Sequence, residues 1–409
     1  MSTNIRPLLS SVRRSPTGAI LVALQVAITL AVLVNAAWLV SQRIAQIERP
    51  TGIDTRDTFA IMLGAVSSKF DVARAESEDL TYLRSLPGVV AAAVDDGVPL
   101  TGMGSWNSQY WRQPGQRGTA VWANEQQGNS EDLLRTLGVP LIAGRNFRAG
   151  EIQPLSTGKE PPPPAEIILT QALAHTLFPR GNALGGTIYD ADGNPLTVIG
   201  ITRNFMGAVG TAANIPVYNT DLLPSMPGQL GFYALLVRTQ PGRRDEILNA
   251  AQQHIGASHR YGVIGKTITL ATARGGFEAN DRNVAILLTT VTALTLVVCC
   301  LGIFGLATFN VGSRTRQIGT RRAVGARRRD IVIQFLVENA LILTAGALLG
   351  SILALGIGDW LTTHYSLPRL DPAYLLGGIL LLWVVGQIAA WQPARRAAAV
   401  PPSVATRTV

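Results

Sequence analysis

The chain of 409 residues is 47% hydrophobic and only 15% charged, with a mean hydropathy of +0.24, so a membrane protein is the default class. Its net charge of +9 is concentrated: residues 42–283 hold 21 basic and 22 acidic side chains, whereas the N-terminal flank, residues 313–330 and the C-terminal tail together hold 13 basic and one acidic. The basicity is therefore a topology signal in three short flanks, which excludes reading it as a nucleic-acid footprint.

The N-terminal flank, residues 1–16, carries Arg6, Arg13 and Arg14. Residues 17–42 follow without a charge, longer than the roughly 7–15 apolar residues of a secretory signal. They predict a retained first span that starts inside, with Trp38 near the opposite interface. Gln25 and Asn35 within it serve either helix–helix hydrogen bonding or a transport pathway.

From residue 43 to 283 short apolar runs bounded by Gly, Pro, Asn and Asp predict an α+β domain inserted between the first and second spans. Helices are expected over 76–86, capped by Ser77, and over 131–137, 171–177 and 244–255. The helix over 131–137 leads into Val139-Pro-Leu-Ile142; strands are expected over 89–94, 167–169 and 232–237, with a tight hairpin over 187–200 and a stiff exposed spacer at Pro161–Pro164. The length calls for two subdomains, about 48–98 with 231–283 near the membrane and 99–230 distal to it.

Residues 284–312 are the second expected span, containing the adjacent Cys299 and Cys300, which read as small buried hydrophobes. Residues 313–330 form a loop with seven arginines against Asp330 alone; a short basic loop between spans belongs in the cytoplasm. Ile318, Ala323 and Val324 give it a small apolar side, and Gly319 and Gly325 allow tight turns or a helix end. Its arginines either fix orientation against lipid phosphate or form a surface that a soluble partner grips. Residues 331–361 are the third span, 362–371 a short outer return, 372–392 the fourth span closed by Trp391 and Pro393, and 393–409 a basic tail. Glu338, ionisable within a span, is expected to lock the loop by pairing with its arginines, with proton carriage as the alternative.

Enzyme chemistry finds little support. Tyr261-Gly-Val-Ile-Gly-Lys-Thr267 resembles the end of a phosphate-cradling loop, but Arg260 stands where glycine is needed and a β-type run follows. His175, His254, His259 and His364 have no metal-binding spacing, and His254 and His259 read as solvated. Asp190, Asp192 and Asn194 start like a calcium loop but lack its closing Glu, which leaves a turn. Glu76, Glu78 and Asp79 read as helix-start acids rather than an acid–base pair. Trp106, Trp111 and Trp122 form either an apolar binding face or packed core.

The run Arg314-Thr-Arg-Gln-Ile-Gly-Thr-Arg-Arg-Ala-Val-Gly-Ala-Arg327 and its continuation to Glu338 resemble the loop and third-span entry of the MacB/FtsX-like ABC permeases. The tail Pro393-Ala-Arg-Arg-Ala-Ala398 is similar to the family ending. Leu86-Pro-Gly-Val89, Leu137-Gly-Val-Pro-Leu-Ile-Ala-Gly-Arg145 and Leu184-Gly-Gly-Thr-Ile188 with Val198-Ile-Gly200 resemble its periplasmic core domain. The resemblance implies a multi-pass protein of the bacterial inner membrane, with both termini cytoplasmic and the large domain in the periplasm. It implies pairing with a second copy or a paralogue, and a periplasmic domain raised on extensions of the first two helices.

It further implies that Arg314, Arg316, Gln317, Ile318, Gly319, Arg321, Arg322, Ala323, Gly325, Ala326 and Arg327 couple to an ABC ATPase dimer. Gln317 stands where the family commonly has an acid. With no nucleotide-binding domain expected on this chain, ATP and Mg belong to a separate subunit and no cofactor is bound here. The implied function is mechanotransmission for export of a peptide, antibiotic or other amphipathic substrate, with a periplasmic adaptor and an outer-membrane channel. A lipoprotein-releasing or division-type mechanotransmitter uses the same lever, and a membrane-anchored sensor or adhesion protein without an ATPase is the rival from another class. Membrane lipid is a partner throughout; nucleic acid is not.

Overall fold

The computed structural model describes residues 16–67, 69–103, 106–115, 120–128, 131–152, 163–208, 215–224, 232–259, 261–365 and 367–401. The arginines of the N-terminal flank, Pro161 and Pro162 of the spacer, Arg260 and the tail from residue 402 lie outside the described residues. The chain forms two compact units, Met1–Glu48 with Asp281–Val409, and Arg49–Asn280.

The chain opens with α1 (Pro16–Ile47), whose uncharged run supplies the first membrane-length helix. In the α+β unit come β1 (Thr58–Ala65), α2 (Val72–Ser85), β2 (Val89–Asp95), β3 (Trp106–Tyr110), β4 (Val121–Gln127), α3 (Leu133–Leu137) and β5 (Leu141–Gly144). They are followed by β6 (Glu166–Thr170), α4 (Gln171–Leu177), β7 (Thr187–Tyr189), β8 (Pro195–Thr202), β9 (Thr220–Leu223), β10 (Phe232–Thr239), α5 (Arg244–Ser258) and β11 (Gly262–Thr269).

A four-stranded antiparallel sheet runs β11–β1–β10–β2, and its alternation serves two cores. Phe59, Ile61, Tyr233 and Leu235 meet Leu83 and Ile255 from α2 and α5, while Ala60, Ala234 and Leu236 meet Leu137 and Phe205. A seven-stranded mixed sheet has the order β3–β4–β9–β6–β8–β5, with β7 paired to β8 and with parallel pairs β4–β9 and β6–β8.

Several boundaries moved. The helix expected over 76–86 begins at Val72, because Asp71 rather than Ser77 caps it by accepting from Arg74 N. The one expected from 131 begins at Leu133, and the segment it leads into pairs as β5 from Leu141. Strands β1, β3, β4 and β9 were not anticipated. The hairpin turn stands, closed by Asp190 Oδ1 accepting from the backbones of Asp192 and Asn194.

The remaining helices are α6 (Leu270–Ser313), α7 (Thr315–Ala323), α8 (Arg328–Tyr365) and α9 (Pro372–Ala398), and α1, α6, α8 and α9 are each long and apolar enough to cross a membrane. α6 begins well before the uncharged run, since the charges at 274–282 mark the edge of apolarity and not of helicity; Arg274 and Glu278 pair one turn apart at 2.6 Å. α9 continues through Pro393, whose ring costs one backbone hydrogen bond near the helix end, so that residue does not close the span.

Small residues seat α8 against α1. A side chain at Gly346 or Gly350 would come within 2.8 Å of the Ala23 or Ala27 carbonyl. Asn35 Nδ2 donates to Ala31 O and Ala354 O, and Gln25 Nε2 to Val298 O, so both polar groups join helices. Trp38 is 1% exposed, buried within protein instead of facing an interface.

Candidate coupling site

The basic loop is mostly helix. After α6 ends at Ser313, Arg314 occupies the cap of α7 and turns its guanidinium to Glu338 on α8, donating at 3.0 and 3.1 Å to the two carboxylate oxygens. The pair is largely out of solvent, with side-chain exposures of 18% and 11%. A carboxyl one to two turns into a span is costly without a partner, and here Arg314 of the preceding loop supplies one.

Ile318 and Gly319 are the buried residues of α7; Ile318 packs with Ile331 of α8 and with Ala397 and Ala398 of α9. Arg322 Nη1 donates to Ala398 O at 3.2 Å and Val400 O at 2.7 Å, carbonyls left open where α9 ends. Arg321 is exposed but bonded to Gln334 at 2.5 Å.

The helix stops in a Schellman arrangement. Gly325 N donates to Arg322 O, Ala326 N donates to Arg321 O, and Gly325 has φ +105°. Asp330 then accepts from Arg327 N at the start of α8.

The eleven sequence-predicted coupling residues thus split. Arg314, Ile318, Gly319 and Arg322 face inward and fasten the segment, with Ala326 half-buried at the turn. Arg316, Gln317, Arg321, Ala323, Gly325 and Arg327 are exposed together with Val324, an aliphatic side chain left 83% exposed among arginines. The sequence signals for this division were Ile318 and the expected pairing of Glu338 with a loop arginine; Arg322 gave none, because the carbonyls that receive it lie more than seventy positions away at the end of α9.

In the α+β unit, sequence reasoning missed a set of buried carboxylates. Gln126 Nε2 donates to Asp95 Oδ1 at 2.6 Å, and its Oε1 accepts from Ala208 N; Asp96 N donates to Gln127 O, so the two sheets are laced together here. Burial pushes Asp95 up to about 6 and raises Asp96 well above the carboxylate range, helped by the charge of Asp95. Burial also pushes Glu125 up to about 7 and raises Asp221, which accepts from the Tyr110 hydroxyl at 2.9 Å. Adjacent acids closing a strand and the polar run Asn124–Gln127 were the only hints.

Other expectations changed. His259 is not solvated: its Nε2 sits 2.8 Å from Asp79 Oδ1, and Asp79, 1% exposed, also accepts from the Tyr233 hydroxyl. His254 stacks on Tyr82 at 3.5 Å. Glu76 and Asp79 are buried rather than dipole-facing, because α2 starts earlier than expected. Residues 262–269 form β11, so the phosphate-loop look-alike is strand. Trp122 is 43% exposed and not core. No cluster with metal-binding geometry occurs among the described residues.

Comparison with known proteins gives two family matches: residues 19–255 to the MacB-like periplasmic core domain, and residues 289–402 to the FtsX-like permease C-terminal family. A macrolide export ATP-binding/permease protein MacB of Agrobacterium fabrum is 28% identical over 67% of this chain and 42% of its own length. The protein of that name from Bordetella avium is 28% identical over 68% and 42%. The chain thus spans less than half the length of these relatives. Among solved structures, the periplasmic region of MacB from Actinobacillus actinomycetemcomitans covers 57% of this chain and 98% of its own, at 13% identity and a TM-score of 0.33.

Proposed function

The chain belongs to the family of permeases with a MacB-like periplasmic core domain, and on that premise we propose that it is the membrane subunit of an ABC-type mechanotransmission system. ATP and Mg bind a separate ATPase dimer in the cytoplasm, which grips the outward stripe of α7. Closure of the ATPases moves α7; the tethers at Arg314, Ile318 and Arg322 pass that movement to α8 and α9, and the chain connection at Ser313 passes it to α6. α6 is one unbroken helix of 44 residues, about 66 Å, and so can carry displacement from the cytoplasmic side into the periplasmic domain. A peptide, antibiotic or other amphipathic substrate leaves through an adaptor and an outer-membrane channel, a reading supported by the export named for the relatives.

The observation that carries the proposal is Val324 held exposed between Arg316 and Arg327 on a segment otherwise tightly fastened. An exposed aliphatic rimmed by arginines suits a protein contact, since arginine is enriched and lysine depleted at such interfaces. Affinity purification of the solubilised chain tests it: an ABC ATPase is expected to co-purify and to be lost with Arg316→Glu plus Arg327→Glu, while membrane insertion persists. Co-purification untouched by both reversals, or no ATPase at all, would sink the proposal in favour of an anchored sensor. An ATPase without an adaptor would favour a lipoprotein-releasing or division-type client.

A further inference from the structure

Between α8 and α9 lies an apolar groove of about 700 Å³, ligand-sized rather than water-sized. Ile333, Val337 and Ala340 form one wall, and Trp383, Ile388 and Trp391 the other. Gln387 Nε2 donates to Leu336 O at 3.3 Å, joining the helices beside it, so the groove is already formed. Both tryptophans stay open, at 42% and 50% exposed.

Each helix brings an arginine to the same end of this groove. Arg329 lies one turn before Ile333, and Arg395 one turn after Trp391, on the faces that line it. Both are exposed, and no carboxylate pairs with either among the described residues. About 16–18 Å of helix rise separates each arginine from the far end of the groove, half of a hydrocarbon core roughly 30 Å thick. The groove is therefore one leaflet deep.

We propose that it binds an anionic phospholipid, with an acyl chain along the tryptophans and the phosphate between Arg329 and Arg395. Charge complementarity favours this occupant over a second copy of the chain, since a two-fold contact on this face would bring like arginines together. Assignment to the inner leaflet rests on the cytoplasmic placement of residues 313–330 proposed above; the site itself does not.

Native mass spectrometry of the full chain in detergent, titrated with phosphatidylglycerol or with phosphatidylcholine of the same acyl chains, tests the site. The wild type is expected to hold phosphatidylglycerol about tenfold more tightly. Arg329→Gln with Arg395→Gln removes that preference, and Ala340→Trp, which fills the groove, removes both adducts. Equal retention of the two lipids by the wild type, or a preference that survives loss of both arginines, overturns the proposal. So does an Ala340→Trp chain that changes its dimer population while still holding lipid. Detergent has no sidedness, so failure here leaves the orientation standing, and a reversed orientation leaves the site standing.

Discussion

Two residue-level arrangements set the energetics of the molecule. Glu338 and Arg314 pair where both are largely out of solvent, so removing one takes a strong charge partner from the other. Glu338→Ala is expected to cost about 2 kcal/mol, below the roughly 3–5 kcal/mol of a fully buried pair because some exposure remains. The Arg314→Ala, Glu338→Ala double variant should lose clearly less than the sum of the singles when thermal unfolding is followed in detergent; strict additivity would show that the pair does not couple. The buried carboxyls of the α+β unit act in the opposite sense to ordinary surface acids. Burial raises Asp95 to about 6 and Glu125 to about 7, so the folded chain keeps protons that the unfolded chain has released. Their contribution is therefore intact below the unfolded values near 4 and is lost as pH rises through about 6 and then about 7, by about 3 kcal/mol for Asp95 alone. Glu151, which Arg145 holds down at about 2, gains stability with rising pH, but its window closes by about 4.5. The full chain should melt at a higher temperature at pH 5 than at pH 8, and Asp95→Asn with Glu125→Gln should flatten that slope; an already flat wild-type profile contradicts the assignment.

At the scale of elements, α7 shows how a nine-residue helix with no apolar stripe of its own is held in place. Isolated helices of that length are marginal in water, so its boundaries come from tertiary tethers and from the Gly325 stop. No atom lies within 4 Å of where a side chain at Gly325 would point, which leaves the positive φ as the only cost of Gly325→Ala, about 1–2 kcal/mol. That variant is expected to insert normally yet lower ATPase stimulation in reconstituted membranes, because Arg327 would be re-aimed; full stimulation would mean that the cap geometry is idle. The same contrast explains what could be read in advance. The four long helices were legible because an uncharged run of that length has few other uses, and α4 because its apolar spacing is clean and Thr170 caps it. β4 was not, since Asn124–Gln127 place polar side chains in buried positions, and among the described residues Gln126 is satisfied only by Asp95 of the neighbouring sheet and the backbone of Ala208. The burial of Asp79 and His259 was illegible for a related reason: they meet across 180 positions, and local pattern reports only local neighbours.

At the scale of the whole molecule, charge is partitioned more sharply than structure. The segment from 42 to 283 is nearly neutral, and the excess lies in flanks that bound the membrane-length helices. A basic flank is hard to translocate whereas a long balanced insert is not, and the proposed placement of residues 313–330 and the α+β unit on opposite sides of the bilayer rests on that difference. Both native cysteines lie in the α6 span, Cys299 buried and Cys300 partly so, and replacing them with alanine removes small side chains whose thiols are at most weak hydrogen-bond donors. In that background, Val324→Cys and Asp192→Cys place single thiols at exposed positions of the α7 end and of the β7–β8 turn. An impermeant maleimide applied to cells with the outer barrier opened but the inner membrane intact should label position 192 within minutes and leave 324 untouched until the inner membrane is breached. Labelling in the reverse order would turn the arginine stripe away from any cytoplasmic ATPase and remove the basis for coupling through α7, whatever the merits of its local geometry.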